Sequence, residues 1–166
     1  MYMCKFTSPT YGEVDFRQMV AIMRKFYDSC KEFGERFNVV VGSDSQNHSD
    51  TRMVSAIVLQ CEGHGGIYFY KVEHIPKIKD VRQKLNHETQ LSLQYANELL
   101  DAISEIDEEL FVSISFSIHI DAGHSDHGKT KELIPGLVGW IHSCGFEAHC
   151  KPSSFAASTV ANRISK

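Results

Sequence analysis

The sequence predicts an α/β protein built on a mixed five-stranded sheet, with helices on both faces and an extra helix at the N-terminus. Apolar, β-branched runs typical of strands alternate along the chain with segments whose apolar residues recur at helical spacing. The resulting order, α-β-β-β-α-β-α-β-α, begins as an antiparallel meander and continues with strand–helix units. The length of 166 residues suits one domain. We therefore expect a single domain over 1–166, in which 1–36 is an N-terminal helical extension.

The first half of the chain supplies one helix and three strands. A helix is predicted over 16–30, where apolar side chains recur every three or four residues. A β-branched run predicts the first strand over 37–43, and similar runs predict strands over 53–61 and 67–75. The glycine-rich stretch 62–66 is typical of a hairpin turn, so the second and third strands should be antiparallel.

The second half predicts strands that alternate with helices. A long helix is expected over about 81–106, after Pro76 ends the third strand. Apolar and polar residues alternate strictly over 111–121, which predicts the fourth strand. The remaining predicted elements are a helix over 130–143, a short strand over 146–150 and a final helix over 154–164.

Composition excludes several classes of protein. Apolar residues make up 42% of the chain and charged residues 23%, which is typical of a globular protein and not of a disordered one. The chain lacks the run of about eighteen apolar residues expected of a membrane-spanning helix. Its five cysteines include no C-x-x-C pair, which favours reduced thiols over disulfides or a zinc finger. We therefore expect a cytoplasmic protein that makes no membrane contact; the oligomeric state is left open.

The formal charge of −4 is unevenly distributed along the chain. The segment 98–109 contains six acidic residues and no basic one, whereas 71–84 contains five basic residues and two acidic ones. Taken alone, such a separation is typical of two solvated faces. It does not by itself indicate a nucleic-acid partner.

Three carboxylates form the main candidate site. Asp44 follows the first strand and Asp121 ends the fourth, so the two would lie side by side if these strands are parallel neighbours. Glu88 occupies a core-facing position in the apolar stripe of the long helix, where an unpaired charge is costly. Each residue alone has a simpler interpretation, as a turn cap for Asp44 or an edge position for Glu88. Together they would repel one another, which predicts a site for Mg²⁺ or Mn²⁺.

A second motif suggests phosphate binding. Residues 123–130 match the Walker A pattern G-x-x-x-x-G-K-S/T between a strand and a helix. Too little chain follows Thr130 to supply a Walker B strand, so we do not expect nucleotide hydrolysis. Gly128, Lys129 and Thr130 remain candidates for a phosphate contact at a helix N-terminus, and a nucleotide-binding protein remains an alternative.

Four short motifs resemble the YkuK-like family of predicted ribonuclease H-like proteins. They cover 41–46, 84–88, 119–121 and 151–158, and the resemblance extends over 37–166. It implies a ribonuclease H-like fold and a divalent-metal-dependent nuclease acting on RNA, DNA or a hybrid. Asp44, Glu88 and Asp121 would then be the catalytic residues and the ligands of two Mg²⁺ or Mn²⁺ ions.

The last segment departs from this family pattern. Residues 154–166 contain no Asp or Glu, whereas active members of the superfamily usually add an acidic ligand there. Ser158 would replace it with a neutral oxygen, so the second ion should bind weakly. His119 and Asn162 are expected beside the ligands, and Ser45, Gln46 and Lys151 against the nucleic acid. The alternative from another class is a catalytically weak nucleic-acid-binding or scaffold protein on the same fold.

Overall fold

The computed structural model describes residues 4–33, 36–123 and 128–151. The predicted helix over 154–164, with Ser158 and Asn162, lies outside the described residues. The elements in chain order are β1 (Phe6–Ser8), β2 (Gly12–Val14), α1 (Phe16–Cys30), β3 (Phe37–Asn47), β4 (Thr51–Cys61), β5 (Gly65–Ile75), α2 (Val81–Ile106), α3 (Glu108–Ser113), β6 (Ile114–Gly123), α4 (Lys129–Ser143) and β7 (Glu147–Lys151).

A single mixed sheet organises the fold, in the order β2-β1-β5-β4-β3-β6-β7. Strands β3, β4 and β5 form the predicted antiparallel meander, and β3–β6 and β6–β7 are the predicted parallel pairs. The α/β class and the mixed sheet are therefore confirmed. The expectation of five strands is wrong, because β1 and β2 extend the sheet beyond β5 to seven strands. Strands of three residues are too short to show a clear alternation in sequence.

The N-terminal segment therefore contributes strands as well as a helix. Its helix α1 starts after Asp15, whose carboxylate accepts a hydrogen bond from the Gln18 amide at 2.8 Å. The Gln18 side chain in turn accepts one from the Asp15 amide at 2.9 Å, which completes a capping box. The first half of the apolar stripe of α1, including Met19 and Met23, is fully buried in the common core, and its second half is partly buried.

The fourth predicted strand starts three residues later than its sequence pattern indicates. Asp107 caps a short helix, α3, by accepting a hydrogen bond from the Leu110 amide at 3.0 Å. This cap and the two glutamates in the first turn favour the helix. Val112 of the alternating pattern is consequently 73% exposed instead of lying in the sheet.

The three long described helices, α1, α2 and α4, pack on one face of the sheet. Helix α2 lies between α1 and α4, and all three share one core with Val39, Val41 and Ile118 of the central strands. Helices on both faces were expected from the sequence. Among the described residues the second face carries no long helix, and the predicted helix over 154–164 lies outside them.

Helix α2 has an unusual order of charges. It contains 26 residues, which corresponds to a length of about 39 Å. Its first turn contains no acidic residue and its last turn no basic one; instead, Arg82 lies near the start and Glu105 near the end. This order opposes the helix dipole, at a cost of about 0.3–1 kcal/mol for each charge near an end. None of the described helices, α2 included, is long and apolar enough to cross a membrane.

Candidate metal centre

Asp44 and Asp121 meet at the carboxyl ends of two parallel strands. Strands β3 and β6 pair in parallel up to Gly42 and His119, and each aspartate lies two residues beyond that pair. The carboxyl group of Asp121 is close enough to shift the pKa of Asp44. The structure therefore places the two aspartates side by side, at the edge where α/β sheets bind ligands.

A lysine lies against this pair of carboxyl groups. Asp121 Oδ1 is buried and accepts no hydrogen bond of ordinary geometry among the described residues, but Lys151 Nζ lies 2.8 Å from it as an ion pair. Gly123 makes this approach possible, since a Cβ there would come within 2.8 Å of the Lys151 Cβ and carbonyl oxygen. Strand β7 can therefore close on β6 and place a positive charge beside the aspartates.

The surroundings of Asp44 favour its protonated form. Burial is the main reason that the pKa of Asp44 is raised to about 7, and the interaction with the Asp121 carboxyl group adds to the rise. The positive charge of Lys151 acts in the opposite direction. A rise in pKa is the direction expected for a buried acid beside a second carboxyl group, since like charges do not both ionise easily.

Glu88 lies beside this pair but is held by different contacts. Its side chain is 7% exposed. Ser45 donates to Glu88 Oε1 twice, from its amide at 3.0 Å and from its hydroxyl at 2.5 Å. Because side chains alternate along a strand, Ser45 faces α2 while Asp44 faces the opposite way. The glutamate is thus fixed to the strand that carries Asp44.

Buried hydroxyl groups help to fix α2 at this position. Ser92, one turn after Glu88 on the same helix, donates a hydrogen bond to the Ser43 hydroxyl at 2.9 Å. The Ser43 hydroxyl is also within 2.9 Å of the Ser55 hydroxyl on β4. Since all three side chains are buried, this chain of hydroxyl groups favours one register of α2 against the sheet.

Burial also disfavours the charged form of Glu88. It raises the pKa of Glu88 to about 8, although the hydrogen bonds from Ser45 act in the opposite direction. The negative charges of Asp44 and Asp121 add to the increase. The charges of both aspartates therefore act on Glu88, although the described residues do not bring the three carboxyl groups together as one set of ligands.

The described residues do not form a complete set of metal ligands as they stand. Within residues 4–33, 36–123 and 128–151, no group of three or more His, Cys, Asp or Glu side chains is arranged to hold an ion. The donor chemistry nevertheless fits a hard divalent cation. Two carboxyl groups lie side by side, and the buried Asp121 Oδ1 has no ordinary hydrogen bond among the described residues. The positively charged Lys151 ammonium group beside this oxygen shows that the position can accommodate a cation.

His119 lies near the aspartates on the sheet face away from the long helices. It is 7% exposed, and its ring packs edge-on against His149, with 5.5 Å between ring centroids. Burial and the neighbouring His149 lower the pKa of His119 to about 4. Both rings line a cleft of about 880 Å³ that also includes Arg36 and Gln60. His119 is therefore a neutral side chain near the carboxylates at pH 7.

The predicted phosphate-contact residues have different surroundings. Gly128 adopts a φ of 62° at the start of α4 and Lys129 follows it, exposed; residues 124–127 of this motif lie outside the described residues. Gln46 accepts a weak hydrogen bond from Arg52 at 3.5 Å. Ser45 and Lys151 contact Glu88 and Asp121, respectively. Sequence reasoning missed both of these contacts.

A family model described as Ribonuclease H-like matches residues 18–166. The chain belongs to the ribonuclease H-like family. This ribonuclease H-like chain is also 29% identical over 164 residues to the uncharacterized protein YkuK of Bacillus subtilis (strain 168), covering 93% of each chain. The resemblance expected from the motifs is thereby confirmed.

Solved structures similar to the ribonuclease H-like chain include the catalytic domain of Mos1 mariner transposase, at 14% identity and a TM-score of 0.36. That match covers 90% of this chain and 68% of the transposase chain. A structure of the same catalytic domain with Raltegravir and Mn has a TM-score of 0.34, at 14% identity, and covers 90% and 69% of the two chains. Similarities of this strength do not bear on activity.

Proposed function

We propose that this protein is a divalent-metal-dependent nuclease that hydrolyses phosphodiester bonds in RNA, DNA or a hybrid of the two. The observation that carries the proposal is the meeting of Asp44 and Asp121 at the ends of β3 and β6 in a ribonuclease H-like chain. The charges of Asp44 and Asp121 both raise the pKa of Glu88 on α2, which supports its inclusion in the same site.

In this proposal Asp44, Asp121 and Glu88 hold Mg²⁺ or Mn²⁺, and Ser158 offers a neutral oxygen to a second, weakly bound ion. Divalent ions held there would supply activation of water and stabilisation of the charge on the leaving oxygen. Asp44, whose pKa is raised to about 7, must lose its proton before it can bind a cation. Ser45 keeps Glu88 oriented, and Lys151 must leave Asp121, which makes its ammonium group available to a substrate phosphate.

A cleavage panel tests the proposal. RNA, DNA duplex, RNA–DNA hybrid and branched DNA would each be incubated with the protein in Mg²⁺, Mn²⁺ or EDTA. We expect cleavage of at least one substrate in metal and none in EDTA. Binding without cleavage of any substrate would contradict the proposal and favour the weakly catalytic nucleic-acid-binding alternative, which the lack of acidic residues in 154–166 supports.

Replacing Lys151 by glutamine should tighten divalent-metal binding about tenfold, or about 1.4 kcal/mol. The reason is that the lysine ammonium group lies 2.8 Å from Asp121 Oδ1 and competes with the metal for that oxygen. Calorimetric titration with Mn²⁺ measures the effect. The matched control is Lys131→Gln, an exposed position on α4. Equal affinities for the two variants would contradict the idea that Lys151 competes with the metal.

The Walker-like loop should not support nucleotide turnover. Within the described part of the chain, β7 alone follows α4 as a strand, and its sequence from Glu147 to Lys151 has no apolar run ending in aspartate. We expect no steady ATP or GTP hydrolysis. Lys129→Ala should instead weaken nucleic-acid binding about equally for all sequences. The slope of the binding constant against salt concentration should fall by about 1, which corresponds to the loss of one phosphate contact. ATP hydrolysis that disappears in Lys129→Ala would establish the nucleotide-binding alternative.

A further inference from the structure

The connection between β5 and α2, together with the first turn of α2, carries four basic residues, which we name the basic rim: Lys77, Lys79, Arg82 and Lys84. Its backbone is fixed to the turn between β3 and β4. The Ile78 amide donates to the Thr51 hydroxyl at 2.8 Å, and the Asn47 side chain donates to the Ile78 carbonyl oxygen at 2.8 Å. Lys77 and Lys79 flank this clamped residue and are exposed.

The basic rim lies at the same end of the sheet as the candidate metal centre. Asn47 follows Asp44 by three residues on β3, which is about 10 Å of strand. At the other end of the rim, Lys84 precedes Glu88 by one turn of α2. The rim is therefore connected to the carboxylates through both β3 and α2.

The described residues do not neutralise the charges of the basic rim. Within the described part of the chain, none of its four residues forms an ion pair. The neighbouring acids have other partners: Glu73 pairs with Lys71 at 3.3 Å, and Asp50 with His74 at 3.0 Å. Asp80 caps α2 by accepting a hydrogen bond from the Arg82 amide at 3.1 Å. By contrast, Arg24 on α1 contacts Asp28, Asp107 and Glu109.

Part of the basic rim also lowers the stability of the helix on which it lies. Arg82 and Lys84 occupy the first turn of α2, which contains no acidic residue, and cations are unfavourable at a helix N-terminus. Charges that are unpaired, exposed and placed against the helix dipole contribute little to folding. Such a pattern indicates a function outside the fold.

We propose that the basic rim binds the phosphate backbone of a nucleic-acid strand and holds it across the candidate metal centre. The inference rests on the proposed function, because it identifies how the same site would take its substrate. Ammonium and guanidinium groups on a rigid connection contact phosphates regardless of base sequence. Binding through the rim should therefore be independent of sequence and strongly dependent on salt.

The test compares two variants of equal net charge. The rim variant combines Lys77→Gln, Lys79→Gln and Arg82→Gln. The control combines Lys5→Gln, Arg17→Gln and Lys25→Gln, which lie in the first thirty residues away from the rim. Fluorescence anisotropy in EDTA measures the binding of labelled single-stranded RNA and of a DNA duplex over a range of salt concentrations. Thermal denaturation is recorded for each protein.

We expect the rim variant to bind at least about tenfold more weakly than the control, with a salt slope smaller by about 2 to 3. Its melting temperature should equal or exceed that of the unmodified protein, because an unfavourable charge leaves the start of α2. This result separates a binding defect from misfolding. Equal affinities and equal salt slopes for the two variants would overturn the inference, as would the absence of nucleic-acid binding by the unmodified protein.

The proposed function is tested separately by cleavage. If the protein binds nucleic acid through the rim but cleaves no substrate in Mg²⁺ or Mn²⁺, the rim inference is supported and the proposed nuclease activity is contradicted. A protein that cleaves nucleic acid while the rim variant binds and cleaves like the control removes the rim inference alone.

Discussion

Replacing Asp44 by asparagine should abolish divalent-metal binding and lower any nuclease rate by at least about a hundredfold, about 2.7 kcal/mol of transition-state stabilisation. Asparagine preserves the size of the side chain but removes the negative charge that lies beside Asp121 at the end of β3. A hard divalent cation depends on that charge for its affinity. Calorimetric Mn²⁺ titration and the cleavage panel measure the two effects.

The matched control is Asp50→Asn, since Asp50 belongs to the same end of the sheet but pairs with His74 at 3.0 Å. We expect this control to retain both metal binding and cleavage. Asp44→Asn should also be at least as stable as the unmodified protein without metal, because one of two adjacent like charges is removed. Unchanged cleavage in a folded Asp44→Asn protein would remove Asp44 from the mechanism.

Without metal, the protein should lose stability as pH rises from about 6.5 to about 8.5. Folding raises the pKa of Asp44 to about 7 and that of Glu88 to about 8, in both cases mainly through burial. The folded state then binds more protons than the unfolded state in this range, so the free energy of unfolding falls with increasing pH. We expect a loss of roughly 2–4 kcal/mol.

Urea denaturation at a series of pH values measures this loss. The range starts at about 6.5 because His119 has the opposite effect at lower pH. Its pKa is lowered to about 4 in the folded protein, so the free energy of unfolding decreases as pH falls below about 6.5. The double variant Asp44→Asn with Glu88→Gln should show little change between pH 6.5 and 8.5. A flat profile in the unmodified protein, or an unaltered one in the double variant, would contradict the assignment.

Much of the fold follows from local patterns in the sequence. The eleven-residue strands β3, β4 and β5 contain long β-branched or aromatic runs, and α2 has a sustained apolar stripe. Both patterns persist over enough residues to be recognised. The short β1–β2 hairpin offers no such length. At α3, the Asp107 cap competes with an alternating pattern, and the outcome depends on tertiary packing around buried Leu110.

The candidate site could be predicted only in part for a similar reason. Asp44 and Asp121 are placed by strand ends, which the sequence marks, and Glu88 by its position in an apolar stripe. The contact between Lys151 and Asp121 depends on how closely β7 approaches β6 at Gly123, which is a property of two distant segments. The sequence indicates the hydrogen bond from Ser45 to Glu88 only weakly. Strand alternation places Ser45 on the face opposite to Asp44 but does not identify its partner.

The reversed order of charges along α2 has a kinetic consequence for the approach to a polyanion. The basic rim lies at the start of α2, a helix about 39 Å long, and the acidic residues at 98–109 lie at its other end, so this part of the molecule has opposite charges at its two ends. The field of a nucleic acid would rotate the protein during diffusion, attracting the end with the carboxylates and repelling the other. Productive encounters then become more frequent at low ionic strength, and the association rate constant falls steeply as salt screens that torque.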